Sequence, residues 1–196
     1  MVMKVTSSSN MEFSILFPQI VFHEKLEDFK DIQDNLIDVV YKIRENDPIG
    51  KIASNAGGWQ SNDDSPELEF FLSHIVENFK IFSECVLENY WVNINPKGTF
   101  NRVHVHPGCD LAAVLWIKSP PNSGSLTFPN PYAYSHSPLI RKFPNHLRDK
   151  YKICTMVNYE PQDGECIIFP ADMLHGVDPN QSDEDRISLS FNLMVN

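Results

Sequence analysis

The chain has 196 residues, of which 42% are hydrophobic, and a formal net charge of −10 at pH 7. This length and composition fit one folded domain with a full core, or at most one domain with a helical elaboration. The acidic balance argues against nucleic acid and against an anionic membrane surface as partners, because both attract clustered positive charge. It does not exclude a small anionic ligand, since local charge at a site can oppose the global charge.

The cysteines and the apolar runs predict a cytoplasmic protein. None of the four cysteines forms a C-x-x-C pair, so we expect free thiols in a reducing compartment rather than a disulfide framework or a zinc ribbon. The N-terminus lacks the apolar stretch of a secretory signal. The longest apolar run, residues 111–117, is too short to span a bilayer.

The first third of the chain predicts one strand and two amphipathic helices. Residues 1–10 are polar and are expected to fray, residues 13–22 resemble a strand, and residues 26–45 carry apolar side chains at helical spacing. Residues 54–64 form a polar loop around Trp59. Ser65 and Pro66 then start a second helix. Its predicted buried stripe is Leu68, Phe71, Leu72, Ile75, Phe79, Phe82 and Val86.

From residue 89 to the end, short β-like segments alternate with Pro, Gly and Asn turns, a spacing typical of a jelly roll or barrel. The exception is the Pro-rich, aromatic stretch 129–150, which is predicted to be a long loop of functional importance. The sequence therefore predicts one mainly β domain, a roll spanning about 89–196, with two N-terminal amphipathic helices packed on its outside.

Three histidines make a candidate metal site. His104 and His106 stand two residues apart on a predicted strand, so their side chains project from the same face. His175 follows the β-like run ECIIFP and is the third candidate. Imidazole suits iron, zinc, nickel and copper alike, so the ligand type does not choose between them.

A candidate anion-binding pair follows the third histidine. Arg186 lies eleven residues after His175, and Ser188 lies two residues further, on the same face of the same predicted strand. A guanidinium pairs a carboxylate through two hydrogen bonds, and a neighbouring hydroxyl can complete the contact. The alternative is a solvated charge at the strand edge, which the acidic run 183–185 makes credible.

Together these residues resemble the Fe(II)/2-oxoglutarate-dependent oxygenases, in which His-x-[Asp/Glu] and a distal His are followed about ten residues later by Arg-x-Ser. Three stretches are similar to a group of these enzymes common in marine bacteria and their phages. They are SNAGGWQS (54–61), the region 101–131 with NRVHVHPGCDLAAVLWIKSP and SGSLTFPNP, and GECIIFPADMLHGVDPNQSDEDRISLSFN (164–192).

The resemblance implies a double-stranded β-helix, or cupin-like jelly roll, that binds Fe(II) and uses 2-oxoglutarate and O2. The expected activity couples the oxidative decarboxylation of 2-oxoglutarate to succinate and CO2 with hydroxylation of a substrate. His104 and His175 carry over as metal ligands, and Arg186 with Ser188 as the binder of the distal carboxylate of 2-oxoglutarate. Residues on neighbouring strands either orient the keto acid or the metal ligands, or fill core and turn positions, namely Asn93, Asn101 and Trp116. Trp59 and residues 129–150 are candidates for a substrate lid. The alternative for Trp59 is that it packs a helix against the roll.

The middle ligand departs from the family pattern. His106 stands where the family has a carboxylate, and the nearest carboxylate, Asp110, lies four residues further on. Strand alternation favours His106 as the ligand, while Pro107 and Gly108 permit a turn that would return Asp110 to the metal. The sequence leaves both alternatives open.

Two other functions compete with the oxygenase. One is a zinc or nickel cupin-type isomerase or hydrolase that uses the same histidines, and the other is a non-catalytic β-roll that binds a ligand. The substrate, small molecule or protein residue, is not specified, because specificity in such folds lies in loops. A homodimer and, for a viral protein, the host cytoplasm remain expectations.

Overall fold

The computed structural model describes residues 19–78, 85–132 and 138–196. Its helices include α1 (Phe29–Asn46), α2 (Pro66–Asn78) and α3 (Asn145–Tyr151). Its strands are β1 (Phe22–Lys25), β2 (Asn55–Ala56), β3 (Trp59–Gln60), β4 (Cys85–Asn95), β5 (Phe100–His104), β6 (Leu111–Lys118), β7 (Leu126–Pro129), β8 (Met156–Tyr159), β9 (Glu165–Pro170), β10 (His175–Val177) and β11 (Arg186–Val195).

The strands form two antiparallel sheets. The larger sheet has the order β1-β9-β6-β11-β4-β3 and the smaller sheet has the order β2-β5-β10-β7-β8. Neighbours in each sheet are mostly distant in sequence, so the chain passes back and forth between the two sheets, as it does in a jelly roll. The predicted mainly β jelly roll is confirmed.

The larger sheet is buried on both faces. In β6, Leu111, Ala113, Leu115 and Ile117 point outward into an apolar cluster that also contains residues of α1 and α2. The alternate residues of β6 point inward into a second cluster shared with β7 and β9. Because both faces are covered, the sequence of β6 is continuously apolar rather than alternating.

Strand β11 is different on its inner face. Its outward residues Ile187, Leu189 and Phe191 join the helix-facing cluster. The inward residues are polar: Arg186, Ser188, Ser190 and Asn192 lie opposite Asn95, Asn93, Trp91 and Asn89 of β4. A row of polar side chains between two packed sheets is the usual setting of a binding site rather than of a core.

Several predicted boundaries were wrong. The second helix is described over Pro66–Asn78, with Phe79 and Phe82 outside the described residues, and Val86 lies in β4 instead, where it is half exposed. The first helix starts at Phe29 rather than Leu26, because Asp28 has a positive φ of 54°. In the predicted strand 13–22, residues 13–18 lie outside the described part, as do residues 1–10, and β1 begins at Phe22.

Four further elements were missed. The predicted loop 54–64 contains the two-residue strands β2 and β3, and the predicted loop 129–150 contains most of α3. The short strand β10 was not predicted at all. Among the described helices, none has the length and apolar character needed to cross a membrane.

Gly164 allows α1 to pack against the larger sheet, and we expect its substitution by Ala to cost about 2–4 kcal/mol. Its φ is +75°, and an added Cβ would lie 2.6 Å from Cγ of buried Phe29. Gly98 is the matched control, since its φ is +82° but an added Cβ there would meet no atom within 4 Å. Gly98→Ala should therefore cost only the backbone strain, about 1 kcal/mol. Urea unfolding of both variants measures the difference, and equal losses would contradict this packing.

Candidate metal centre and ligand pocket

Pairing of the short strands β5 and β10 brings two of the three histidines together. His104 ends β5, His175 begins β10, and the two residues are directly opposite in the antiparallel ladder. His106 lies just beyond β5, where its backbone N–H donates to the carbonyl of Ala171 at 2.8 Å. The potential ligand atoms of the three histidines all lie within 4.8 Å of one another. The structure therefore brings together all three predicted metal ligands.

Hydrogen bonds on the far side of each ring define the tautomers. The Nδ1–H of His104 donates to the carbonyl of Arg102 at 2.6 Å, and that of His175 donates to the carbonyl of Met173 at 2.9 Å. The Nδ1–H of His106 donates to Oδ1 of Asn192 at 2.6 Å. Each Nε2 consequently carries a free lone pair.

The Nε2 atoms of His104 and His106 are 3.0 Å apart. With both Nδ1 atoms protonated, these are two lone pairs that face each other, an arrangement that a shared cation stabilises. The two nitrogens are close enough for one metal ion to bind both, since metal–imidazole bonds are about 2.0–2.1 Å long.

The imidazoles are neutral at physiological pH. Burial lowers the pKa of His104 and of His106. The pKa of His175 is lowered to about 3, by burial and by the neighbouring His104. A neutral imidazole is the form that binds a metal ion. The site needs no deprotonation step before it accepts a cation.

Aromatic and aliphatic side chains surround the histidines. Trp91 lies 5.5 Å from His106 between ring centroids, and Phe169 packs edge-on against His175 at 4.6 Å. Val114 and Leu126 complete this apolar part of the pocket wall. Such walls limit the access of water to a bound metal.

Asp110, the alternative middle ligand, is engaged elsewhere. Its Oδ2 accepts the backbone N–H of Val195 at 2.8 Å, and its own N–H donates to the carbonyl of Leu193. The carboxylate thus holds the end of β11. The geometry favours His106 over Asp110 as the middle ligand.

Arg186 is fully buried, with two of its donors unpaired. Its Nη1 donates to the carbonyl of Ser123 and also to the carbonyl of Asp178, at 2.9 Å. Its Nε and Nη2 are buried and have no partner among the described residues, and the same holds for the indole Nε1 of Trp116 and the hydroxyl of Ser123. An unpaired buried donor costs about 1–3 kcal/mol, so this group of donors is suited to an acceptor-rich ligand.

The charge of Arg186 points to an anion. Burial lowers the pKa of its guanidinium to about 10, against the opposing influence of Asp178, so the group stays protonated at neutral pH. No salt bridge joins this cation to an acid within the described part of the chain. The alternative of a solvated charge at the strand edge was wrong.

Gly124 shapes the backbone around this cation. Its φ is +87°, and an added Cβ would lie 2.4 Å from the carbonyl oxygen of Asp178, one of the two acceptors of Arg186. Only a residue without a side chain allows the segment that carries Ser123 to approach so closely. The loop therefore fixes one half of the guanidinium and leaves the other half to a ligand.

The remaining predicted residues divide between the pocket and the core. Ser188, Asn93 and Asn101 line the pocket with the histidines, and Trp116 is buried beside Ser188 in the sheet. Trp59 belongs to the helix-facing cluster and donates its indole N–H to the carbonyl of Asp47 at 2.9 Å. Its predicted alternative role in a lid was wrong, and its role in helix packing was right.

Asn192 was missed by the sequence reasoning. It is buried and contacts His106, but in the sequence it is only the last residue of the predicted strand RISLSFN. The available signal was the period of two, because every second residue from Arg186 to Asn192 is polar in an otherwise apolar strand.

The structure combines a jelly roll, a cluster of three histidines that could hold a metal ion, and a fully buried arginine with no acidic partner among the described residues. Residues 89–192, more than half of the chain, match the family model described as "Putative 2OG-Fe(II) oxygenase". The chain belongs to this 2-oxoglutarate–Fe(II) oxygenase family and is therefore an oxidoreductase that uses Fe(II), 2-oxoglutarate and O2. The predicted family is confirmed, while its marine bacterial or phage type stays a prediction.

Solved structures share this fold at low sequence identity. A prolyl-4-hydroxylase from Pseudomonas putida is 14% identical with a TM-score of 0.59, over 91% of this chain and 94% of that chain. The viral collagen prolyl hydroxylase of Paramecium Bursaria Chlorella virus-1, in its 2-oxoglutarate complex, is 16% identical with a TM-score of 0.54, over 88% and 96%. HygX from Streptomyces hygroscopicus, with nickel and 2-oxoglutarate bound, is 10% identical with a TM-score of 0.60, over 91% and 84%. Comparison with curated protein sequences gave no significant match.

A pair of variants separates the two alternatives for the middle ligand. His106→Ala should weaken metal binding more than about 100-fold, because it removes a ligand. Asp110→Asn keeps an acceptor for Val195 and should change the metal affinity less than about threefold. Titration of the metal-free protein with Co(II), followed by visible absorption, measures both. Loss of binding in Asp110→Asn with retention in His106→Ala would reverse the assignment.

Proposed function

We propose that His104, His106 and His175 bind the Fe(II) ion, and that Arg186 with Ser188 binds the distal carboxylate of 2-oxoglutarate. The observation that carries this proposal is the pairing of two incomplete sites within one roll. Three imidazole lone pairs converge at one place in the smaller sheet, and the buried guanidinium of Arg186, in β11 of the larger sheet, has two unpaired donors among the described residues. 2-Oxoglutarate supplies chelating oxygens for a metal and a carboxylate for an arginine within one molecule.

Charge supports the same occupant. Three neutral ligands leave the two positive charges of Fe(II) uncompensated, and the protonated Arg186 adds a third. A dianion compensates two of these charges, and water is a poor substitute in a buried site. The donors Nε and Nη2 of Arg186 would then each gain a carboxylate oxygen.

When bound, the iron, 2-oxoglutarate and O2 would supply the oxidising chemistry: one oxygen atom of O2 enters succinate as 2-oxoglutarate loses CO2, and the other hydroxylates the substrate. The protein residues would hold and orient the metal and the keto acid. Arg186 and Ser188 would fix the far end of the keto acid, and the three histidines would leave further metal positions open. Phe169, Leu126 and Val114 would keep water from the metal.

We further propose that Asn93, Asn101 and Trp116 assist in binding the co-substrate. Asn93 and Trp116 flank Ser188 on its two neighbouring strands, and the indole N–H of Trp116 is buried without a partner in the described structure. Asn101 lies across the pocket in the smaller sheet, where it contacts Ser54 at 3.3 Å. The two asparagines would orient the keto acid, and Trp116 would add a donor near its distal end.

Other aspects of the assignment are also proposals. We propose one oxygenase domain that acts in the cytoplasm, or in the host cytoplasm if the protein is viral, which agrees with the four free thiols. The substrate is a small molecule or a protein residue, with no role for nucleic acid or membrane, and a homodimer stays a prediction. The family match favours the oxygenase over a zinc or nickel cupin and over a non-catalytic β-roll.

Anaerobic binding of Fe(II) and 2-oxoglutarate tests the proposed site. We expect the metal-to-ligand charge-transfer band of an Fe(II)–keto acid chelate in the wild-type protein. Arg186→Met should weaken 2-oxoglutarate binding about 100-fold or more, because it removes charge-assisted hydrogen bonds of about 1.5–3 kcal/mol each. The same variant should change the affinity for Fe(II) alone by less than about threefold.

Arg186→Lys is the matched control for charge. It keeps the positive charge but not the planar pair of donors, so we expect it to bind 2-oxoglutarate with an affinity between those of the wild type and Arg186→Met. Thermal melting with and without 2-oxoglutarate gives an independent measurement. Equal loss of iron and 2-oxoglutarate in Arg186→Met would contradict the assigned role.

A further inference from the structure

The three histidines differ in what holds the far side of the ring. His104 and His175 each donate to the backbone carbonyl of the residue two positions earlier, Arg102 and Met173. A backbone carbonyl is present whatever the sequence, so these two orientations depend on the strand alone. His106 instead donates to the side chain of Asn192. Its orientation is therefore the one that a side chain determines.

Asn192 is itself fixed by a second asparagine. Its Nδ2 donates to Oδ1 of Asn89 at 2.7 Å, while its Oδ1 lies 2.6 Å from Nδ1 of His106. An amide has one donor end and one acceptor end. With the donor end of Asn192 on Asn89, its acceptor end faces His106, and that ring carries its proton on Nδ1. Nε2 of His106 is then left with the lone pair that faces His104.

The backbone is irregular where this pair of asparagines lies. Asn192 is opposite Asn89, but the next residue, Leu193, is opposite Leu87, so Glu88 is an extra residue in β4. Leu193 and Leu87 both belong to the helix-facing apolar cluster. A bulge at this point keeps the asparagines inside the roll and turns the leucines outward, a re-aiming of side chains that bulges often provide beside functional sites.

We propose that Asn192, held by Asn89, is a positioning residue that fixes the Nδ1–H tautomer and the ring orientation of His106. This inference rests on the proposed function, because it assigns the pair to a ligand of the proposed iron. Where the family pattern has a carboxylate, the chain has an imidazole. A carboxylate has lone pairs on both oxygens, whereas a neutral imidazole has one on a single nitrogen, so a partner that accepts from Nδ1 decides whether Nε2 can bind a metal. Asn89 and Asn192 supply that partner.

Two-bond 1H–15N NMR of the metal-free protein measures the tautomer of His106. The His106 signals are assigned from their loss in His106→Gln. The wild type should show the proton on Nδ1. Asn192→Leu, which is close in size but has no acceptor, should give a mixture or the Nε2–H form. Asn192→Asp keeps the acceptor and should keep the wild-type tautomer.

Metal binding is the second measurement. With Co(II) as the probe, Asn192→Leu should lose about 10–100-fold in affinity, with altered visible bands, whereas Asn192→Asp should retain the affinity within about threefold. Asn89→Leu frees the amide of Asn192 to rotate and should lose less than Asn192→Leu. Asn158→Leu is the matched control, the same substitution at an exposed position in β8, and should change neither measurement.

The results separate this inference from the proposed function. An unchanged His106 tautomer together with unchanged Co(II) binding in Asn192→Leu would overturn the positioning role. If Asn192→Leu does not fold, Asn89→Leu replaces it, and wild-type behaviour in that variant would overturn the role equally. The proposed iron and 2-oxoglutarate site fails independently, when the wild type shows the expected tautomer but no charge-transfer band.

Discussion

The pairing of β5 with β10 is the constraint on which the site depends. It sets His104 directly opposite His175, and β10 has only three residues with which to define that register. In a strand, a shift by one residue turns every side chain to the other face, so a slip would remove His175 from the pocket. The longer pairings of β11 with β4 and β6 hold the frame within which the short strands align.

The interior of the roll is a compromise between packing and binding. The helix-facing side of the larger sheet is wholly apolar, whereas the inner side combines an apolar cluster with the polar row of β11 and β4. Buried polar groups destabilise a fold unless they are paired, and here Arg186, Trp116 and Ser123 each keep an unpaired donor in the described structure. Such exceptions to packing rules are expected at functional sites. The apolar outer face supplies the stability that the inner face gives up.

The sequence predicted the jelly roll from the spacing of its short strands, and it predicted the His104–His106 pair from the alternation of side chains along a strand. His175 was added from its place after the run ECIIFP and from the resemblance to the oxygenases. His104 and His106 share a face by period, and Arg186 and Ser188 do so again in β11. The residues near Val86 were placed in a helix because apolar spacing over a short run fits helix and strand alike. Strand β10 was not predicted because three residues are too few to show an alternation of apolar and polar side chains. The link from Asn192 to His106 joins residues 86 positions apart, and no local pattern can show such a contact.

The exchange of a carboxylate for an imidazole has consequences beyond the metal ligand itself. With Fe(II) bound, a site of three neutral histidines and one protonated arginine is one unit more positive than a site in which one histidine is replaced by a carboxylate. After it binds dianionic 2-oxoglutarate, the three-histidine site would still carry one positive charge. The orienting group of His106 is a neutral amide, which does not restore the missing negative charge. The excess charge should favour binding of 2-oxoglutarate, and the net charge of −10 over the whole chain offsets it at longer range. Strand β11 thus carries both proposed tasks: Arg186, at its start, is the proposed binder of the anion, and Asn192, near its end, is the proposed positioning residue of His106.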